Sequence, residues 1–227
     1  MQKKIIIACS KDWFFKSEII KKFIKENKVI VLKKKNQINI KYLSRIKPDA
    51  IFFPHWGYKV NKKIITKYNC ICFHTAPLPF GRGGSPIQNL IIKKFKRTPV
   101  CALKMNSKID SGPIYLKKMI SLSGNLEEIF IRLSFAIIEM IKIIIKKKII
   151  PKEQKGKILQ FKRIKKNKSE IKMEKNINEI FDKIRMLSAD EYPNAYIKKK
   201  NFKIIFTKAV MAKKIISCNA KIIKIEK

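Results

Sequence analysis

The sequence predicts an α/β fold built on a mostly parallel sheet, with a small helix and β-rich appendage at the C-terminal end. Three observations predict it. Short apolar runs alternate with amphipathic stretches as far as Pro151, the pattern of strands joined by crossover helices. Hydrophobic residues make up 46% of the 227, enough to bury a core. Beyond Pro151 a polar, lysine-rich stretch, read as a linker or an extended arm, is followed by one helical segment and short β-rich runs. The expected division is a main domain over residues 1–150, then a linker with a small α+β unit over residues 151–227.

Each element follows from its local pattern. Lys4 to Ala8 is a short apolar run and reads as a buried strand. Lys16 to Lys25 carries Ile19, Ile20, Phe23 and Ile24 on one stripe, the signature of an amphipathic helix. Val29 to Leu32 is a second strand. Ile40 to Ile46 is a short helix, stopped before Pro48. Ala50 to Phe53 is a third strand, Lys62 to Tyr68 a helix, and Cys70 to His74 a fourth strand. Ser85 reads as an N-cap with Pro86 at the first helical position, and that helix runs to about Phe95. Val100 to Met105 and Ile114 to Ile120 are two more strands. Asn125 caps a long helix from Leu126 to about Lys147. "INEIFDKIRML" is helical, and Phe202 to Ile225 alternates short β-rich runs.

Bulk properties exclude several classes. Ile129 to Ile150 is the most apolar stretch, but Arg132, Glu139, Lys142 and three lysines at 146–148 interrupt it. A membrane-spanning helix needs about 20 mostly apolar residues, so no membrane partner is expected. The basic start "MQKKIIIACSKDWFF" has too short an apolar run for a signal peptide. Five cysteines, unevenly spaced, form neither a zinc pattern nor a disulfide framework, which suits a cytoplasmic protein with reduced thiols and no metal. The formal net charge is +38, yet only six of the 54 basic residues are arginine and the lysines are scattered. Scatter favours compositional drift over a dedicated nucleic-acid surface, although the charge still attracts anionic ligands.

In a parallel α/β sheet, ligands sit beyond the carboxyl ends of the strands. Both histidines, His55 and His74, fall at such ends. After His74 comes "PFGRGGSP", where Gly81, Gly83 and Gly84 surround Arg82 ahead of a helix. Glycines let backbone approach a ligand closely, and helix N-termini attract anions. The loop is neither a P-loop nor a dinucleotide fingerprint. "NSKIDSGPIY" then places Asp110, one of 16 acidic residues, in a loop expected on the same rim as His74.

Taken together, these pieces resemble the N10-formyltetrahydrofolate-dependent formyltransferases. The resemblance rests on a strand ending in His-x-x-Pro-Leu-Pro, then Arg-Gly-x-x-Pro-Ile-Gln, then Asp-x-Gly-Pro-Ile about 25 residues on. "PDAIFF" at Pro48 to Phe53 is similar to the family's strand ahead of the catalytic histidine. "IRMLSADEYPNAYI" is similar to the start of its C-terminal appendage. The likeness covers most of residues 1 to 210 and is strongest from Pro48 to Leu116. It implies a Rossmann-like formyltransferase catalytic domain and N10-formyltetrahydrofolate as formyl donor.

The resemblance also implies roles. The family's catalytic set is Asn, His and Asp. His74 and Asp110 match the last two, and Cys72 stands where the Asn belongs. A thiol is a poor replacement for a carboxamide donor, so His55 or Asn106, or backbone N–H groups with His74, would have to hold the oxyanion; otherwise the chain is slow or catalytically decayed. The folate is expected near Pro54, His55, Trp56 and the loop containing Asn106 and Ile109. Arg82, Gly83, Gly84, Ser85 and Gln88 are expected to face the amine substrate. A nucleotide-linked amino sugar ranks first as that substrate, because the methionyl-tRNA enzymes of the family are longer and "FHTAPLPFGRGGSPIQNLI" looks closer to the short sugar N-formyltransferases. Methionyl-tRNA is the alternative, and a decayed homologue or a basic nucleic-acid-binding protein the further one. Short family members suggest a homodimer.

Overall fold

Alternation along the central strands decides the layering. In β1 (Ile5–Cys9), Ile5, Ile7 and Cys9 enter one apolar cluster while Ile6 contributes to another with Ala8, so the strand is covered on both faces. The computed structural model describes residues 3–172 and 176–225. Its main sheet has six strands in the order β2-β1-β3-β4-β6-β7. Here β2 is Ile30–Leu32, β3 Ala50–His55, β4 Cys70–His74, β6 Arg97–Lys104 and β7 Ile114–Ser121. The first four run parallel; β6 is antiparallel to β4, and β7 to β6.

Helices cover both faces. On one side α1 (Glu18–Glu26) contributes Ile20 and Phe23, and α5 (Leu126–Lys146) contributes Ile129, Phe130, Leu133 and Ile137. On the other, α2 (Ile40–Ile46) contributes Leu43 and α3 (Lys62–Lys67) contributes Ile64. Asparagines start the two short helices: Asn39 accepts from the Tyr42 N–H and Asn61 from the Lys63 N–H. Each such cap typically contributes about 1 kcal/mol. At α5 the Glu128 carboxylate accepts the Asn125 N–H at 2.8 Å. Among the described residues no helix is long and apolar enough to cross a membrane.

Three local features differ from the sequence expectation. A 3-10 turn over Asp12–Lys16 precedes α1. The glycine-rich stretch contains a strand, β5 (Phe80–Gly83), before α4 (Pro86–Ile92). The polar stretch after Pro151 is a docked arm that carries a strand of its own. Lys152 exchanges backbone hydrogen bonds with Ile114, and β8 (Leu159–Phe161) pairs parallel with β5. Polar, weakly periodic sequence hid this strand because its partner lies about 80 residues away.

The C-terminal portion holds α6 (Ile177–Arg185) and a three-stranded antiparallel sheet in the order β11-β10-β9. Its strands are β9 (Ala195–Lys199), β10 (Phe202–Ala212) and β11 (Ile215–Lys224). Buried Arg185 fastens this portion to the turn after β7. Its guanidinium donates to the carbonyls of Leu122 at 2.6 Å and Gly124 at 3.0 Å, and to the Asp182 carboxylate at 2.7 Å.

Candidate active site

The site is assembled at the end of β4. His74 is buried, with Nε2 2.7 Å from the Gly81 carbonyl. A carbonyl only accepts, so Nε2 carries the hydrogen. Nδ1 lies 3.3 Å from Oδ2 of Asp110. The same oxygen accepts the Gly83 N–H at 3.0 Å. A proton between Nδ1 and Oδ2 makes that contact attractive; without one, two lone pairs face each other. Oδ1 of Asp110 has no hydrogen-bond partner among the described residues.

Asp110 reaches His74 by an indirect route. The Met105 N–H donates to the Cys70 carbonyl, so β6 ends level with the start of β4, not with His74. Four residues of strand separate those levels by roughly 13 Å. The loop therefore folds back along the sheet, and Gly112 is where it returns. A β-carbon there would fall 1.7 Å from the Lys104 carbonyl oxygen. Asp110 itself is left-handed, with φ +53°.

The glycine-rich stretch holds the chain's own arm. A β-carbon on Gly81 would lie 2.6 Å from the Phe161 ring, on Gly83 2.6 Å from the Phe161 carbonyl, and on Gly84 2.7 Å from the Arg163 Cβ. The Gly84 N–H donates to the Phe161 carbonyl. The sequence predicts that these glycines admit a ligand; the group that approaches them closely is residues 161–163 of the chain itself. Ser85 is left-handed with φ +51°, and its hydroxyl accepts the Ile164 N–H instead of capping α4. Gln88, expected to face the amine substrate, is buried and its amide donates to the Met186 carbonyl beside α6. Arg82 donates through Nε and Nη2 to Oε1 of Gln154, at 3.1 and 2.8 Å.

The remaining expected residues divide between two surroundings. Pro54 is buried in β3. The half-buried His55 ring sits 4.7 Å from Trp13 and 5.6 Å from Phe130, centroid to centroid. Burial first, then the Lys11 charge, pushes its pKa down to about 4. Trp13 and Phe130 also wall a cavity of about 250 Å³. Trp56 meets Phe53 and Tyr58 edge-on and flanks the same apolar cluster as Cys72 and Met105. Asn106 closes its own loop, its Oδ1 accepting from the Lys108 N–H and the Ser111 hydroxyl. Ile109, next to Asp110, is 78% exposed. Neither His55 nor Asn106 hydrogen-bonds His74 or Asp110 among the described residues. Cys72 lies two residues before His74 on the same strand; burial and the nearby Asp110 charge push its thiol pKa up, so it stays protonated.

Comparison with known proteins adds the family. A model described as "Methionyl-tRNA formyltransferase, C-terminal domain" matches residues 166–223. A solved structure of a methionyl-tRNA formyltransferase from Clostridium thermocellum is 37% identical, with a TM-score of 0.93 over 98% of this chain and 99% of that one. The chain belongs to the formyltransferase family. Curated methionyl-tRNA formyltransferases include one from Thermodesulfovibrio yellowstonii, 33% identical over 188 residues. That match spans 78% of this chain but 60% of the relative. The one from Campylobacter lari is 35% identical over 72% of this chain and 56% of its own length. This chain thus spans a little over half the length of these curated relatives. A sugar N-formyltransferase from a Shewanella species shares the fold at 15% identity and a TM-score of 0.69, covering 94% of this chain and 100% of that one.

Sequence reasoning missed Gln154, Phe161 and Arg163 at this candidate site. Nothing in "PKEQKGKILQFKR" signals a site, because their contacts are long-range.

Proposed function

We propose that the chain transfers a formyl group from N10-formyltetrahydrofolate to the α-amine of methionyl-tRNA, with His74 and Asp110 as the catalytic residues. The observation that carries the reading is the 3.3 Å contact between Nδ1 and Oδ2 at the end of a central strand. Asp110 takes a proton from the attacking amine at its unpaired Oδ1, directly or through one water, and returns it to the departing N10 nitrogen as the bond between that nitrogen and the formyl carbon breaks. His74 keeps Nε2–H on the Gly81 carbonyl, and a proton at Nδ1 is shared between Asp110 Oδ2 and the formyl oxygen, where it stabilises the developing negative charge. Cys72, protonated and adjacent, adds a weak S–H donor.

The residues around Asp110 suit the donor. Exposed Ile109 and half-buried Trp56 offer apolar surface for a flat ring, and the backbone of the Asn106–Asp110 loop offers hydrogen-bonding groups. The folate, when bound, supplies the one-carbon unit; the protein supplies orientation and proton handling.

The ranking of a nucleotide-linked amino sugar as first substrate gives way here. It rested on chain length and on the likeness of "FHTAPLPFGRGGSPIQNLI" to the short sugar enzymes; a methionyl-tRNA formyltransferase chain matched at 37% identity over 99% of its length outweighs both. The sugar enzyme's likeness, at 15% identity, supports only the fold. Exposed Lys208, Lys213, Lys214, Lys221 and Lys224 on and between β10 and β11 suit a phosphate backbone. The test supplies the purified chain with N10-formyltetrahydrofolate and, in parallel, methionyl-tRNA and a panel of nucleotide-linked amino sugars. Formyl-methionyl-tRNA is the expected product. Formylation of a sugar alone, or of neither, overturns the reading.

A further inference from the structure

We infer that Gln154, on the arm, is a positioning residue that holds Asp110 in its working geometry. Its side-chain amide is used completely. The two N–H groups of Nε2 donate to the carbonyls of Asp110 and Gly112, both at 2.8 Å. Its Oε1 accepts twice from Arg82. One planar group thus joins the arm, the glycine-rich stretch and the Asp110 loop.

The loop needs such a group. Asn106, Lys108 and Ile109 are exposed, so little packing holds their backbone. Asp110 sits at φ +53°, a region that costs a non-glycine residue on the order of 1 kcal/mol. Gln154 grips the carbonyls on either side of Ser111, the part of the backbone that fixes where the Asp110 carboxylate points. The arm is independently pinned by the paired hydrogen bonds between Ile114 and Lys152 and by the β5–β8 pairing. Gln154 therefore works from a fixed base. Misplacing a reacting group by about 1 Å can cost about 100-fold in rate.

Two neighbouring amides separate positioning from general support. The Gly83 N–H ends on the Asp110 carboxylate; the Gly84 N–H ends on the Phe161 carbonyl of the arm. The experiment measures amide hydrogen exchange by NMR on the full chain without substrate. In Gln154→Ala, Gly83 should lose protection by about 10-fold or more while Gly84 stays within about threefold. Gln154→Glu keeps an acceptor for Arg82, which secures the arm, but has no N–H for the two carbonyls, so it should behave alike. Loss at both glycines means the arm has come away and overturns the inference; so does loss at neither, or at Gly84 alone.

A kinetic arm rests on the formyl-transfer reading. Gln154→Ala should lower kcat by about 10–100-fold and move KM by less than about threefold. In an Asp110→Asn background the same substitution should cost less than about threefold, because its effect passes through the carboxylate. An equal cost in both backgrounds overturns the inference. The exchange arm uses no substrate, so a failure of the formyl-transfer reading leaves it standing.

Discussion

Arg163 occupies the space in which Gly84 would carry a side chain. Its Cβ, Cα and backbone N all lie within 3.0 Å of an added β-carbon. Backbone cannot swing aside as a side chain can, so Gly84→Ala forces the arm off the glycine-rich stretch. Overpacking of this kind typically costs about 1–3 kcal/mol. Thermal unfolding of Gly84→Ala should fall accordingly. An unchanged midpoint means the arm is not tightly seated.

Removing either member of the His74–Asp110 pair should stop turnover with little loss of fold. Asp110→Asn keeps a similar shape and an oxygen for the Gly83 N–H but cannot take a proton from the amine. His74→Ala removes the donor at Nδ1. Loss of one such group costs about 10²–10³ in rate. Single-turnover formylation of methionyl-tRNA measures it, and near-parental rates in either variant would remove that residue from the mechanism.

Cys72 offers a gain-of-function test. The family resemblance implies asparagine at this position, and a carboxamide is a stronger donor than a half-buried, protonated thiol. Cys72→Asn should raise kcat by about 10-fold or more, within the range an oxyanion donor supplies. A rate that falls or stays level means that backbone donors already suffice, or that the carboxamide finds no partner beside Leu78 and Leu103.

The parts of the fold that were legible in the sequence are those set by local pattern. Cys70–His74 and Ile40–Ile46 have the bounds their apolar runs and the following Pro48 dictate. His74 and Asp110 stood out because acidic and imidazole groups are scarce in so lysine-rich a chain. What could not be read was long-range. Gly81, Gly83 and Gly84 carry the same signal whether a ligand or the chain itself approaches, and Phe161 lies about 80 residues on. The resemblance alone points Gln88 toward the amine substrate; its hydrogen bond to Met186, 98 residues on, is a contact that no local pattern encodes.

Arg185 is a stability site. Its guanidinium is buried and satisfied by two carbonyls and Asp182, and Asp182 also meets Lys94 at 2.8 Å. Arg185→Ala strands the carbonyls of Leu122 and Gly124 while Lys94 still neutralises Asp182. The expected cost is about 2–4 kcal/mol, from unpaired buried acceptors and lost packing against Phe181. Denaturant unfolding measures it, and a change under about 0.5 kcal/mol would show that solvent readily reaches those carbonyls.

His55 should give the protein a distinct acid limb. Burial against Trp13 and Phe130 lowers its pKa from 6.5 to about 4, with Lys11 adding to the effect. Between those values the unfolded chain binds a proton that the folded chain refuses. Stability therefore rises with pH through this window and is lost as pH falls from about 6.5 towards 4. The ring is half-buried, so solvent tempers the effect to about 1–3 kcal/mol. His55→Phe keeps an aromatic ring against Trp13 and Phe130 but cannot titrate. Unfolding free energies measured at several pH values from 4 to 7 should slope less in the variant than in the parent. Parallel slopes would assign the acid limb to the carboxylates instead.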